Sequence, residues 1–275
     1  MQVLVIRPNP CRRDDLIADL WEHGTVGILE EDSALRAYFP ESFDLAEIIT
    51  PENGEILECF SENGTPTYHA NEANSEPFFM GQRFAVLTDS ADSPTSASRI
   101  PLLLAPSPAF GSGRHESTQL MVEAMEAHLQ PGGVVIDVGC GSGILSEVAR
   151  HLGASTIVAC DTHNDAITTA RQTCSQAASF IGSVDAIEPS VADLVLANIS
   201  AKVIDVLAAD LVRITEPDGL ILLSGFIQDR TPERFQPEEV LERNGWLCWI
   251  CRPRLQPAGS AEASLPIQPF EAQWW

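Results

Sequence analysis

The sequence predicts an α/β fold: a Rossmann-like, doubly wound parallel sheet preceded by a small α+β unit. Three observations support this prediction. From residue 99 onward, short apolar runs alternate with helical patterns, as in parallel sheets covered by helices. One of these runs leads into a turn with glycine at every second position, VIDVGCGSGI at residues 135–144. Residues 1–60 show another order of elements, in which strands predominate.

The first 60 residues are predicted to form a β-α-β-β-α-β unit of the ferredoxin-like type. QVLVIRP is a predicted strand, and CRRDDLIADLWEHG is a predicted helix ending at Gly24. TVGILEED and ALRAYFP are predicted strands joined by a polar turn. FDLAEII, residues 43–49, is a predicted helix, and EILECF is the last predicted strand.

Three regions follow from these patterns. Residues 1–66 are interpreted as the α+β domain, and residues 67–98 as a linker, because Pro, Ser and Asn are frequent there. The linker contains an apolar piece, FFMGQRFAVL, that is long enough for a strand or two. Residues 99–275 are interpreted as the second domain.

The second domain is predicted to alternate strands with helices. Its predicted helices are TQLMVEAMEAHL, ILSEVARHLG, NDAITTARQTCSQAA with Asn164 as the N-cap, SAKVIDVLAADLVRIT and PEEVLERNG. Its predicted strands are VVIDVG, STIVACD, DLVLAN, GLILLSG and WLCWICRPR. Ligands of doubly wound sheets bind beyond the carboxyl ends of the strands, so residues at those ends are the candidate site residues.

The charge balance bears on partners. The chain has 39 acidic and 16 basic residues, and its formal net charge is −23. Such a surface repels phosphate backbones and anionic membranes and attracts basic partners. Direct nucleic-acid binding is therefore disfavoured, while adaptation to solubility or to a salty habitat is the alternative explanation of the excess.

Cysteines and the N-terminus indicate a cytoplasmic protein. The seven cysteines are odd in number and scattered, which predicts reduced thiols. The one C-x-x-C, Cys248 and Cys251, has no second pair or histidine cluster to complete a zinc site. MQVLVIRPNP lacks the apolar core of a signal peptide, and no apolar run is long enough to span a bilayer.

The glycine turn predicts a nucleoside site without a pyrophosphate. A dinucleotide fingerprint needs G-x-G-x-x-G, but the third position holds Ile144 or Ser146. The pattern is instead Gly139-x-Gly141-x-Gly143, preceded by Asp137. This D-x-G-x-G-x-G spacing resembles motif I of Rossmann-like S-adenosylmethionine-dependent methyltransferases. Glycines let the backbone approach a ligand closely, and Asp137 suits the ligand's ammonium group, directly or through water.

Two further strand ends carry candidate residues. Asp161 ends STIVACD, where an acid can accept hydrogen bonds from both ribose hydroxyls. Nicotinamide enzymes share that feature. Asn198 ends DLVLAN but lacks the Pro-Pro-aromatic sequence that follows it in many amino-methylating enzymes. Asn198 is a site candidate, with helix capping as the alternative and Ser200 as a competitor for the cap. Asp185 is a candidate contact of the adenine amine.

A longer resemblance narrows the family. PAFGSGRHESTQLMVEAM, residues 108–125, resembles the F-G-T-G-x-H-x-T-T segment of the PrmA family, class I methyltransferases that modify ribosomal protein L11. VIDVGCGSGILSEVARHLGASTIVACD, ANIS and GLILLSG resemble that family in the same order. The likeness covers about residues 104–228. Over the N-terminal domain only the order and size of the elements agree.

The resemblance implies both a cofactor site and a substrate. It assigns S-adenosylmethionine to Thr118, Gly139, Asp161 and Asn198, and substrate recognition to the N-terminal domain. It implies methyl transfer to lysine ε-amines and an N-terminal α-amine of a basic ribosomal protein. The sequence departs from the family at Ser112, Ser117 and Glu116, and its linker lacks the expected spaced tryptophans.

The expected reaction is a direct displacement in which a neutral amine attacks the sulfonium methyl. The protein then supplies mainly proximity and alignment, with Asn198 orienting the amine. His115 is expected to order its loop, with proton acceptance as the alternative. Three other functions stay open: methyl transfer to another protein or a small molecule, cofactor binding without catalysis, and a nicotinamide oxidoreductase.

Overall fold

A computed structural model describes residues 2–23, 25, 27–30, 34–39, 49–50, 52–61, 77–87, 99–104 and 113–256 of the chain. Two compact units divide it: Met1–His69 with Ser107–Phe110, and Ala70–Pro106 with Gly111–Trp275. The first unit contains a four-stranded sheet, and the second contains a three-stranded and a seven-stranded sheet.

The first unit has the predicted element order as far as it is described. Its elements are β1 (Gln2–Pro8), a 3-10 turn (Pro10–Arg12), α1 (Arg13–Glu22), β2 (Gly27–Glu30), β3 (Leu35–Phe39) and β4 (Gly54–Ser61). The sheet order is β2-β3-β1-β4, and every neighbouring pair is antiparallel. This order gives the ferredoxin-like arrangement, in which a helix connects two strands separated by a third.

The core of the first unit explains why these segments fold as they do. Leu16 and Leu20 lie four positions apart on α1 and are fully buried, as expected for one face of an amphipathic helix. Leu4 and Ile6 are fully buried on β1, the second strand from one edge of the sheet. The four predicted strands and the first helix are confirmed. The helix predicted at residues 43–49 lies almost wholly outside the described residues.

A small sheet begins the second unit. It consists of β5 (Phe78–Met80), β6 (Phe84–Leu87) and β7 (Ile100–Leu103), in that order. The β5–β6 turn contains Gly81 with a φ of 56°. The carboxylate of Glu126 accepts hydrogen bonds from the backbone of Gln82 and Arg83, each at a shortest distance of 2.8 Å. The apolar piece of the predicted linker thus forms strands of its own.

The seven-stranded sheet is the main layer of the second unit. Its strands and helices are α2 (Glu116–His128), β8 (Val134–Val138), α3 (Ile144–Leu152), β9 (Thr156–Asp161), α4 (Asn164–Thr173), β10 (Ala178–Ile181), β11 (Ala192–Asn198), α5 (Ala201–Ile214), β12 (Thr215–Ile227), β13 (Pro237–Arg243) and β14 (Trp246–Cys251). The order is β10-β9-β8-β11-β12-β14-β13. The first five strands are parallel, and β14 is antiparallel to both of its neighbours. The chain reverses its direction of travel across the sheet between β8 and β11, which is the switch point where ligands bind.

Helices cover the sheet on two faces. The C-x-x-C of β14 demonstrates this, because residues three apart on a strand point to opposite faces. Cys248 contacts Met121 of α2 with 3.7 Å between the sulfurs, whereas Cys251 lies in the core cluster that includes α5. Both thiols are free and buried. No helix within the described ranges is long and apolar enough to cross a membrane.

The predicted helix PEEVLERNG is wrong. Residues 237–243 form β13, which pairs antiparallel with β14. Asn244 and Gly245 both have positive φ, 50° and 84°, which is the backbone of a two-residue hairpin turn. The Asn-Gly pair was the available sequence signal. Glu and Leu favour a helix, but the backbone hydrogen bonds of this segment to β14 outweigh that local preference.

The predicted helix at residues 164–178 is partly wrong. It ends at Thr173, and β10 begins at Ala178. The strand escaped detection because it is short and half-exposed rather than apolar. Asn164 is not the N-cap, since His163 occupies the cap position without a side-chain capping bond. The other predicted strands and helices of this domain are confirmed within one or two residues at most ends, although β12 begins four residues early.

Candidate active site

The three glycines of the turn all have a left-handed backbone. The φ angles of Gly139, Gly141 and Gly143 are 71°, 51° and 78°, a region that residues with a side chain enter only at a cost. The turn is bonded to the next strand, because the N–H groups of Gly139 and Cys140 donate to the carbonyl of Cys160 at 2.8 and 3.1 Å. The turn therefore lies at the carboxyl ends of β8 and β9.

Two of these glycines are also required by their neighbours. A Cβ on Gly139 would lie 2.6 Å from Cγ2 of Ile199, and one on Gly143 would lie 2.8 Å from Cα of Ala170. Contacts this short force a displacement of the neighbouring chain. The turn is thus packed against α4 on one side and against the loop after β11 on the other.

Asp161 is held by the turn. Its Oδ2 accepts a hydrogen bond from the Gly141 N–H at 3.1 Å, and its Oδ1 accepts one from the His163 N–H at 2.9 Å. Nδ1 of His163 also lies 3.1 Å from Oδ1 and forms an ion pair when that ring is protonated. The Asp161 side chain is 11% exposed. A carboxylate oxygen has two lone pairs, so Oδ2 keeps capacity to accept a hydrogen bond from a ligand, and Oδ1 keeps it when Nδ1 of His163 carries no hydrogen.

Asp137 lies deeper than Asp161. It is 1% exposed, and its Oδ2 accepts a hydrogen bond from Oγ of Ser146 at 2.6 Å. The pKa of Asp137 is raised from 3.8 to about 6. Burial is the main cause and nearby Asp161 adds to it, while the hydrogen bond from Ser146 acts in the opposite direction. Sequence reasoning missed Ser146, because it lies beyond the glycine motif and the motif does not require it.

Asn198 and Thr118 come together at the switch point. Nδ2 of Asn198 donates to Oγ1 of Thr118 at 3.4 Å. Oδ1 of Asn198 is buried and has no hydrogen-bond partner among the residues that the structure describes. A buried acceptor without a donor costs about 1–3 kcal/mol, so this atom is a candidate to meet a donor from a ligand. The capping alternative is wrong, because Ser200 occupies the N-cap position of α5.

Ile199 fixes the chain beside Asn198. Its N–H donates to the carbonyl of Ser224 at 3.0 Å. Gly225 has a φ of 96°, and a Cβ there would lie 2.5 Å from the carbonyl oxygen of Ile199. Gly139 therefore packs closely against the side chain of Ile199, and Gly225 packs closely against its backbone. Sequence reasoning did not single out Gly225, because its contact with Ile199 joins segments distant along the chain.

The segment before α2 is ordered by side chains. The His115 ring is the N-cap: its Nδ1 accepts from the Ser117 N–H at 3.3 Å and lies 2.8 Å from Oγ of that serine. The ring also packs edge-on against Trp246, with centroids 4.4 Å apart. Nε2 of Gln119 donates to the carbonyl of Gly113 at 2.6 Å. These contacts favour the ordering role of His115. Residues 105–112 lie outside the described residues.

The remaining candidates stand apart from this cluster. Asp185 lies exposed in the short turn Val184–Ala186 that follows β10, and its contact with adenine stays a prediction. Cys140 and Cys160 are buried beside the turn. Burial, with Asp137 next in effect, raises the pKa of both thiols, for Cys160 to about 12. Both are therefore neutral near neutral pH and serve as packing groups rather than nucleophiles.

The sheet order and the acid-flanked glycine turn define a class I S-adenosylmethionine-dependent methyltransferase. A model of the family described as ribosomal protein L11 methyltransferase (PrmA) matches residues 19–254. The chain belongs to this family. Its members use S-adenosylmethionine as methyl donor, so the chain is an enzyme of that class and the nicotinamide alternative is set aside.

Individual relatives agree. A ribosomal protein L11 methyltransferase of Acetivibrio thermocellus is 28% identical over 279 residues, covering 91% of this chain and 89% of the relative. One of Bacillus cereus is 31% identical over 252 residues, covering 81% and 80%. A crystal structure described as ribosomal protein L11 methylase, from Lactobacillus delbrueckii subsp. bulgaricus, is 26% identical. It covers 64% of this chain and 98% of its own, with a TM-score of 0.59.

Proposed function

We propose that this enzyme transfers methyl groups from S-adenosylmethionine to amines of ribosomal protein L11, at lysine ε-amines, the N-terminal α-amine or both. The family match and the names of the relatives support the acceptor. The observation that carries the amine chemistry is the buried Oδ1 of Asn198 at the switch point of the sheet, for which the described part of the chain offers no donor. An amide oxygen only accepts hydrogen bonds, and an amine brings the N–H donor that this atom lacks.

The residues around the turn fit the donor. We assign the ribose hydroxyls to Asp161, whose Oδ2 keeps capacity for a donor beyond Gly141 and whose Oδ1 keeps it when Nδ1 of His163 carries no hydrogen. We assign the ammonium end to Asp137 and the close backbone approach to Gly139, Gly141 and Gly143. Thr118 is assigned to the same site through its contact with Asn198. The ligand has no phosphate, so the absent third dinucleotide glycine is consistent with it.

S-adenosylmethionine, when bound, supplies a methyl group already activated by its sulfonium sulfur. The protein's part is to present a neutral amine to it. Free lysine has a pKa of about 10.4, so the amine must lose a proton to water before it reacts. Oδ1 of Asn198 would hold one N–H of the neutral amine, which fixes the direction of its lone pair. No buried nucleophile is needed for a direct displacement.

Charge supports a basic acceptor. The net charge of −23 provides a field that attracts a cationic protein and speeds its encounter with the enzyme. The same field opposes direct contact with nucleic acid. We propose that residues 1–66 recognise the acceptor, residues 67–98 link them to the rest, and residues 99–275 carry out the transfer. A ribosomal acceptor also supports a cytoplasmic location.

The chain's composition helps the test. Lys202 is its only lysine, so the enzyme contributes almost no ε-amines of its own. Purified L11 is incubated with enzyme and S-adenosylmethionine, and intact masses of both proteins are recorded. We expect L11 to gain whole methyl groups and Asn198→Ala to slow the gain by about 100-fold, the scale of a lost transition-state contact.

Other outcomes separate the alternatives. Formation of S-adenosylhomocysteine without a mass change in L11 would assign the enzyme to another acceptor. Tight binding of S-adenosylmethionine without any product from L11 or from a mixture of basic proteins would favour a binding module. A matched control, Thr215→Val, removes a buried hydroxyl bond to the Leu211 carbonyl and is expected to keep normal methyl transfer.

A further inference from the structure

Ser146 and Asp137 form an isolated polar pair inside the second unit. Ser146 lies on the first turn of α3 and is fully buried, and Asp137 is 1% exposed on β8. The distance of 2.6 Å between Oγ and Oδ2 falls in the range of charge-assisted O–H···O⁻ bonds. Both the hydroxyl and the backbone N–H of Ser146 favour the ionised carboxylate. Ser146 is thus the local donor of this acid.

Within the described part of the chain, the strand partners of Asp137 and the groups that shift its pKa are apolar, neutral or acidic. Its partners on the neighbouring strands are Ala159 and Leu196. The thiols of Cys140 and Cys160 are neutral, because burial raises the pKa of each. Asp161 adds like charge. None of the described groups that shift this pKa is a cation, although His163 lies on the far side of Asp161. A buried carboxylate in these surroundings tends to take up a proton.

A protonated Asp137 could not attract an ammonium group by charge. If Asp137 binds the ammonium group of S-adenosylmethionine, its carboxyl must be kept ionised in surroundings that favour the protonated acid. Among the described residues, Ser146 supplies the side-chain hydrogen bond that does so. The hydroxyl also fixes Oδ2 of Asp137 toward α3.

We propose that Ser146 is a positioning residue for cofactor binding: it holds Asp137 ionised and oriented toward the ammonium group of S-adenosylmethionine, and so sets the lower pH limit of cofactor affinity. The proposal rests on the proposed function, in which Asp137 meets the ammonium end. It adds a residue outside the glycine motif and a measurable pH dependence.

The direction of the effect follows from the chemistry. Affinity should fall as the pH decreases through the pKa of Asp137, which is about 6. Ser146→Ala removes the hydroxyl, so the carboxylate protonates more readily and the midpoint moves upward by about one pH unit, the scale of one charge-assisted bond. Near pH 6 the variant then binds about fivefold more weakly than the wild type, and near pH 8.5 the two converge.

The test is calorimetric titration of the full chain with S-adenosylmethionine from about pH 5.5 to about pH 8.5. The variants are Ser146→Ala, Asp137→Asn and the control Thr215→Val, which also loses one buried hydroxyl bond. Asp137→Asn should bind weakly at every pH, and Thr215→Val should follow the wild type. His163→Gln identifies any part of the pH dependence that comes from the histidine beside Asp161.

The outcomes are distinguishable. Superimposed profiles of wild type and Ser146→Ala, with weak binding by Asp137→Asn, overturn the role of Ser146 and leave the proposed function standing. Wild-type affinity in Asp137→Asn removes Asp137 from the site and weakens the proposed function itself. If Ser146→Ala does not fold, carbon-13 NMR titration of the wild-type Asp137 carboxyl decides: a midpoint below about pH 4.5 contradicts the proposal.

Discussion

Nδ2 of Asn198 lies 3.4 Å from Oγ1 of Thr118, although the two residues are 80 positions apart in the chain. The contact joins the end of β11 to the first turn of α2. Thr118 is 1% exposed, so its hydroxyl is shielded from water. The amide nitrogen of Asn198 is held by this bond, and its oxygen meets no donor from the residues that the structure describes.

Thr118→Val should therefore slow methyl transfer without unfolding the protein. Valine has the shape of threonine but leaves Nδ2 of Asn198 without its acceptor, and the amide loses its fixed orientation. We expect kcat to fall by about tenfold with little change in KM for S-adenosylmethionine. Steady-state kinetics on L11 measure both constants, and a rise in KM alone would contradict the positioning role.

Asp161→Ala should weaken S-adenosylmethionine binding by about 10- to 100-fold, the range for lost hydrogen bonds to a charged group. The reason is that backbone N–H groups orient both oxygens, which leaves Oδ2 able to accept a ribose hydroxyl. Calorimetry measures the affinity. His163→Ala is the control, because it keeps the backbone N–H that bonds Asp161; equal losses in the two variants would disagree with the assignment.

Gly139→Ala should destabilise the protein by about 2–4 kcal/mol, because a positive φ and a steric overlap add together. The overlap is the 2.6 Å approach to Ile199. Gly132→Ala is a matched control: its φ is 89°, but a Cβ there meets nothing within 4 Å. That variant should lose only about 1 kcal/mol. Urea unfolding of both measures the difference, and similar values would show that Ile199 yields easily.

The buried acid should also cost stability as the pH rises. Its folded pKa of about 6 lies above the usual value of 3.8, so the native state holds its proton more tightly than the unfolded state. This stability is complete below about pH 4 and is lost as the pH rises through 6, by about 3 kcal/mol in total. Relative to the wild type, Asp137→Asn should gain about that amount between pH 4 and pH 7.5 in urea unfolding. If the difference in unfolding free energy between Asp137→Asn and the wild type does not change with pH, the pKa of Asp137 is not raised in the folded protein.

The glycine turn, Asp161 and Asn198 could be predicted from the sequence because each follows an apolar strand at a fixed spacing. Their convergence follows from the geometry of a parallel sheet. β13 was misread because Glu and Leu favour a helix locally, while the bonds offered by β14 are invisible in a local window. Ser146 could not be found because it lies beyond the glycine motif, and Gly225 could not be found because it matters through its close approach to Ile199, 26 residues earlier in the chain.

The grip on Ile199 has a consequence for redesign. Gly139 and Gly225 both pack closely against Ile199, the residue next to Asn198, and Thr118 accepts a hydrogen bond from Asn198 itself. The amide that we propose contacts the acceptor amine is thus held in place by its neighbours, and we expect changes to its loop to disturb it. To change the acceptor protein, we therefore expect that substitutions are needed in another part of the chain. Exchanging residues 1–66 with those of a relative should redirect the enzyme to a new protein while its chemistry stays the same.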